Sequence, residues 1–381
     1  MSASSRPQPA GQSYLARAVT ARAPHVRQRE DLAGVLRHVL VALVPCLLVG
    51  LYNSGYQANL ALAQLGLRTT TGWRGSLLDT FGVGFDAGST WDCMLHGAAY
   101  FVPLIAVSAL TGAACQRAFA LLRDRRPSPG LAVTVTLFSL SLPPGIPLWQ
   151  AALGITFGVV VGREVFGGTG KNFLNPALVG LVFVYFAYPL AFKGAGVWTA
   201  VDGFTGATAL GVAALGGMQA VEATGVTWNE SFLGLVPGSI GETSTLACLI
   251  GGAYLMLRRI ASWRILAGAT LGLVGTVLLF QLTGGSSSTA AQVPWFWHLT
   301  LGSFAFGVTF MATDPVSAAQ TNAGRWIYGL LIGFLVVVIR VQSPVHPEGV
   351  MLAILLSNVF APLIDHAVVR RDIRRRRRRR G

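Results

Sequence analysis

A chain of 381 residues with 52% apolar and only 12% charged side chains is not an ordinary soluble domain, in which about a quarter of residues are charged. The balance points to a bilayer, and the net charge of +14 is concentrated in clusters rather than spread along the chain. The four cysteines (Cys46, Cys93, Cys115, Cys248) include no CxxC pair and the six histidines no HxxxH pair, which argues against an iron–sulfur or other metal site built by this chain alone.

Residues 1–35 form a polar, arginine-rich arm with no apolar core of the kind a cleaved signal peptide requires. Ten apolar stretches follow, starting near 36, 97, 129, 147, 175, 243, 263, 295, 325 and 349, to be matched against the roughly 20 helical residues that cross a hydrocarbon core. The third and fourth are short and joined by PPGIP, which reads as a tight turn. The expected fold is all-α: a polytopic membrane protein with ten transmembrane helices in a membrane domain spanning 36–369, a long connection at 193–242, and a basic tail at 370–381. That tail, RRDIRRRRRRRG, reads as a solvated segment that fixes orientation or touches anionic lipid, and less well as a nucleic-acid binder.

Placing both termini in the cytoplasm leaves only Arg68, Arg74, Lys193 and Arg340 among the lysines and arginines on the outer side, as the positive-inside rule requires. The connection 193–242 then faces outward, whereas GGTGKNFLNP and MATDPVSAAQTNAGR face inward. NPALVGLVFVYFAYPL (175–190) parallels HPEGVMLAILLSNVFAPL (346–363) in its opening proline, apolar run and closing Pro-Leu. These are the fifth and tenth helices, so the parallel predicts two five-helix halves of inverted topology, with sites at their interface.

GTGK at 168–171 suggests a phosphate loop, but Val165 and Asn172 occupy the places of the Walker glycine and hydroxyl, so the motif fails. Asn172 and Asn175 either cap a glycine-rich turn or present amides to a planar polar ligand. Asp314-Pro315 and Thr321-Asn322 fit helix caps. Glu242, in PGSIGETST, opens the sixth helix, either as an ordinary cap favoured by the helix dipole or beside free N–H groups that attract a phosphate. Asp365, in APLIDHAVV, is the acid best placed inside the membrane and so a candidate for an ion route; Glu164 and Glu348 lie nearer loops. In DGFTGATALG (202–211), Asp202, Thr205 and Thr208 stand around Gly206 and Ala207 on a surface of small residues. They are turn hydroxyls, or hydroxyls exposed to a bulky partner.

DGFTGAT fits D-x-x-(S/T)-G-A-(T/S), the signal of flavin-carrying subunits of respiratory ion pumps. With EVFGGTGKNFLNPAL, PLWQAALGITFGVVV, PGSIGETSTLA, ASWRI, FMATDPVSA and PEGVMLAIL…FAPLIDH in order, residues 25–373 resemble the B-subunit family of Na⁺-translocating NADH:quinone reductases. The resemblance implies a covalent FMN on Thr208, attached through phosphate by a flavin transferase that reads Asp202, Thr205, Gly206 and Ala207. It also implies riboflavin near Asn172 and Asn175, with Trp198 and Glu242 as further flavin contacts. Electrons would pass from a partner flavin through FMN and riboflavin to ubiquinone, with Na⁺ exported. The flavins would perform the redox chemistry, so no catalytic side chain is expected. The implied setting is a six-subunit complex in a bacterial inner membrane, in contact with lipid, quinone and Na⁺. A related Rnf-type ferredoxin:NAD⁺ oxidoreductase subunit shares the signal, and a secondary transporter without cofactor is the reading from a different class.

Overall fold

The computed structural model describes residues 32–70, 72–124, 127, 129–193, 198–201, 208–283, 289–343 and 348–379. The described residues are helical with irregular connections. In chain order the helices are α1 (Leu32–Leu65), α2 (Gly72–Thr80), α3 (Thr90–Leu122), α4 (Leu131–Leu140) and α5 (Leu148–Val159), which continues as a π-turn over Val160–Glu164. They are followed by α6 (Pro176–Ala187), α7 (Ala209–Ala223), α8 (Trp228–Leu233), α9 (Thr245–Leu257) and α10 (Trp263–Thr283). The remainder are α11 (Trp295–Thr300), α12 (Phe304–Phe306, continuing as a π-turn over Gly307–Met311), α13 (Asn322–Gln342) and α14 (Val350–Arg378). Five of these, α1, α3, α10, α13 and α14, are long and apolar enough to cross a membrane. The fold is therefore that of an all-α, polytopic membrane protein.

Three expectations need correction. The second span begins at Thr90 rather than near 97, because Ser89 caps it by accepting from the Asp92 N–H. The eighth stretch is not one helix: it breaks at Leu301–Ser303, where Gly302 takes φ +70°, and resumes as α12. The connection 193–242 is not plain loop, since its apolar second half folds into α7, kinked at Gly217, and α8.

α5 packs on α6 and α13 on α14; two further contacts are α1–α9 and α6–α14. At the first of these the Cys46 and Cys248 sulfurs lie 3.8 Å apart. The most extensive contact is α10 against α13. Each carries a small-residue pair four apart, Gly268/Gly272 and Gly329/Gly333. A Cβ on Gly333 would overlap the Ala269 carbonyl and one on Gly329 the Ile265 carbonyl, so these backbones touch. In lipid, where apolar burial does not drive helices together, such close approach supplies the packing.

The start of α13 is held from the neighbouring helix. Asp365 of α14 accepts from Gln320 N–H (2.6 Å), Thr321 N–H (2.9 Å) and Thr321 Oγ (2.5 Å), while Thr321 caps its own helix through Gly324 N–H (3.0 Å). A carboxylate at a helix N-terminus meets both free N–H groups and the favourable end of the dipole.

Two outcomes are expected. Gly333→Val should destabilise the protein by about 2 kcal/mol, the usual scale of overpacking, whereas Gly275→Ala, with open space around it, should not; thermal unfolding in detergent reads both. Asp365→Asn should cost about 1–2 kcal/mol through its charge-assisted bonds and speed hydrogen exchange at residues 320–325 before the rest of α13.

Candidate functional site

Helix breaks at membrane depth free backbone groups that must find partners inside the protein. Here three irregular segments meet: residues 140–147 after α4, 234–244 before α9, and 301–303 between α11 and α12. The second is pinned against the first, with Gly241 N–H donating to Leu140 O (2.8 Å) and Ile240 N–H to Leu142 O (3.2 Å). From α1, Asn53 donates to Val236 O (2.9 Å) and Gln57 to Leu235 O (3.1 Å). The third is held by Arg340 of α13, 1% exposed, whose guanidinium donates to His298 O (2.7 Å) and Leu301 O (2.9 Å). Arg340 is thus not on an outer loop, as counting charges suggested; it is a buried clamp across the broken helix.

These segments enclose two cavities of about 30 and 20 Å³, each enough for a water or two. Ser239, Glu242, Ser303 and Glu348 line both, so the two form one polar chamber in two lobes. The outer lobe is bounded by Thr208, Thr243 and Thr300; the inner lobe by Trp198, Phe192, Leu181 and Met311. Glu242 does not open α9. Ser244 is the cap, accepting from Ala247 N–H (3.2 Å), and Glu242 sits in the preceding turn, buried, facing the chamber. Trp198 is buried edge-on to Phe192 at 6.4 Å.

Thr208 is half-buried and is the N-cap of α7, its hydroxyl accepting from Gly211 N–H at 3.1 Å. Asp202, Thr205, Gly206 and Ala207 lie outside the described residues.

A separate cavity of about 30 Å³ is lined by Asn172 and Asn175 together with Arg163, Thr169, Thr134 and Asp314. The two π-turns both lead into it, one into GGTGKN and the other into TDPV. Such turns recur at functional sites. Gly167, Gly168 and Gly170 all take φ near +100°, which lets this loop fold back on itself. The asparagine amides are partly committed to local structure. Asn172 accepts from Gly170 N–H (3.2 Å) and donates to Leu174 O (2.8 Å); Asn175 caps α6 through Ala177 N–H (3.0 Å). Arg163, 1% exposed and paired with Glu164 at 3.0 Å, keeps Nη1 without a hydrogen-bond partner. Asn175, in the wall of this cavity, donates to the carbonyl of Met311, which lines the inner lobe, at 3.5 Å.

Residues that sequence reasoning passed over are Arg163, Ser303 and Asp314 as cavity wall, Arg340 as the clamp on the broken helix, and Glu348, noted only as near a loop. Asp314 accepts from Ser317 Oγ (2.8 Å) and starts no helix. Asp365 is occupied as a cap and lines none of these cavities.

Residues 19–374 match the model of the NQR2, RnfD, RnfE family. The B subunit of the Na(+)-translocating NADH-quinone reductase of Azotobacter vinelandii is 54% identical over 366 residues, covering 95% of this chain and 90% of that one. The same subunit of Pseudomonas aeruginosa strain LESB58 is 52% identical, covering 97% and 92%, and that of Chromohalobacter salexigens 50% identical, covering 96% and 89%. The chain belongs to the NQR2, RnfD, RnfE family, among the B subunits of the Na(+)-translocating NADH-quinone reductases.

Proposed function

We propose that this chain is the flavin-carrying membrane subunit of a Na⁺-translocating NADH:quinone reductase, with FMN esterified to Thr208 and riboflavin held beside Asn172 and Asn175. Electrons leave this subunit for ubiquinone, and their passage is coupled to Na⁺ export. The setting is a bacterial inner membrane, with both termini cytoplasmic and five other subunits around the chain.

The observation that carries the reading is the position of Thr208. Its hydroxyl caps α7 at the mouth of a polar chamber, so a phosphodiester there meets the free N–H groups and positive dipole end of the helix. In the unmodified chain the Gly211 N–H is taken by the Thr208 hydroxyl, and it is the group a phosphate oxygen would meet first. The chamber supplies a polar wall of hydroxyls rather than a pocket for a ring. A flavin bound there supplies one- and two-electron transfer; the residues of this chain orient it and shield it from water. Glu242 and Glu348 line the same lobe as Thr208, so a phosphodiester there requires each carboxylate to carry a proton or a counter-cation.

The second cavity, which as it stands holds a water or two, offers one uncommitted donor to an acceptor atom of a ligand. Arg163 has a free buried N–H, and the two asparagines hold their loop backbone in place around it. Asp365 enters an ion route only by giving up its cap on α13. The transporter reading loses its ground once the chain falls in this family, and it predicts a colourless protein.

Two measurements test the proposal. Intact mass of protein from its native membrane, with the transferase present, should exceed the chain mass by FMN less one water. Thr208→Ala should abolish that increment and Thr208→Ser should keep it; no increment in the wild type sinks the assignment. Asn172→Ala should cut the acid-extractable, non-covalent flavin by about tenfold, the cost of about one lost charge-free hydrogen-bond network, and leave the covalent increment untouched.

A further inference from the structure

The arginine run is not a separate tail among the described residues. It is the continuation of α14, helical to Arg378. Val368 is the last buried side chain, and every described residue beyond it is exposed. Counted at about 1.5 Å per residue, Val350–Val369 measures about 30 Å, the thickness of a hydrocarbon core. The apolar, partly buried part of α14 ends at Val369, and Arg370 opens its charged, exposed end. Arg370 to Arg378 spans about 12 Å more, enough to pass through a headgroup layer about 5–7 Å deep.

Helical spacing sorts these arginines. His366, Arg370, Arg374 and Arg378 form one row four apart, Ala367, Arg371 and Arg375 the adjacent row, and these residues line one shallow surface. Asp372 is the only acid between Arg370 and Arg379. Like charges at this spacing repel, and a block of them in water favours an unfolded segment. A helical block is favoured where a dense layer of anions lies against it. Guanidinium groups grip phosphate bidentately, and the helix C-terminus favours cations.

We propose that Arg370, Arg371, Arg374, Arg375 and Arg378 form a docking face for the phosphate headgroups of anionic phospholipids in the leaflet where α14 ends. The face anchors the end of α14 electrostatically and enriches anionic lipid next to the protein. It stands independently of the flavin assignments.

The test uses the full-length protein, purified from its membrane with its accompanying subunits and presented with equal phosphatidylglycerol and phosphatidylcholine. Native mass spectrometry should find phosphatidylglycerol retained at least about tenfold over phosphatidylcholine at low salt, falling toward parity at about 0.5 M salt as charges are screened. The variant R370Q/R371Q/R374Q/R375Q/R378Q should lose most of that preference, and the five corresponding Arg→Lys changes should keep most of it. Thermal unfolding of both variants confirms that the membrane domain is intact. An unchanged preference in the glutamine variant overturns the proposal. So does displacement of the lipid by millimolar inorganic phosphate, which would make this a free-anion site. Loss of an accompanying subunit with lipid retained would identify the face as a protein contact and overturn it equally.

Discussion

Everything distinctive in this protein depends on broken helices inside a bilayer. A continuous helix satisfies its own backbone, whereas one that stops at Leu140, or at Thr300 to resume at Phe304, leaves carbonyl and amide groups with no water to receive them. The chain meets that need by bringing the loose ends together. The carbonyls of Leu140 and Leu142 take the amides of Gly241 and Ile240, and those of His298 and Leu301 take the guanidinium of Arg340. What remains between the satisfied ends is a small polar chamber. The functional space is thus a consequence of how the breaks are repaired.

The repair explains where the charges are. A guanidinium offers five N–H groups in one plane, so a single Arg340 reaches two carbonyls on either side of a turn, which an ammonium would do poorly. Burying that charge demands a counter-charge in the same low-dielectric region, and Glu348, across Gly302, answers it. Gly302 is left as glycine by two constraints: its φ of +70° and the Leu210, Arg340 and Glu348 side chains crowding the place of a Cβ. The GxxxG seam between α10 and α13 gives these breaks a rigid frame. Helices whose backbones touch hold Arg340, seven residues beyond Gly333 on the same helix, at a set depth.

Much of this was legible in the residues. Apolar runs and caps located α4, α5, α6, α9 and α14 within about two residues, because a span boundary is a change of solvent and the chain must change composition there. Thr321 was read as a cap and is one. The break at 301–303 was hidden, since Leu-Gly-Ser interrupts an apolar run too briefly to register. The burial of Arg163 and Arg340 was hidden for a different reason. Positive-inside counting treats every arginine as facing water, and only tertiary structure reveals one spent on backbone carbonyls. The chamber joins residues from 141 to 351, and no local pattern announces such a meeting.

The position of Thr208 joins the fold to the proposed chemistry. In the unmodified chain its hydroxyl oxygen takes the Gly211 N–H, so the first turn of α7 is capped and stable before any ester is made. Under the proposed esterification that oxygen would accept poorly, and the non-bridging phosphate oxygens would offer a charged acceptor at the same helix end, replacing one cap by a stronger one. A helix N-terminus is therefore a better place for a phosphodiester than a turn of equal exposure.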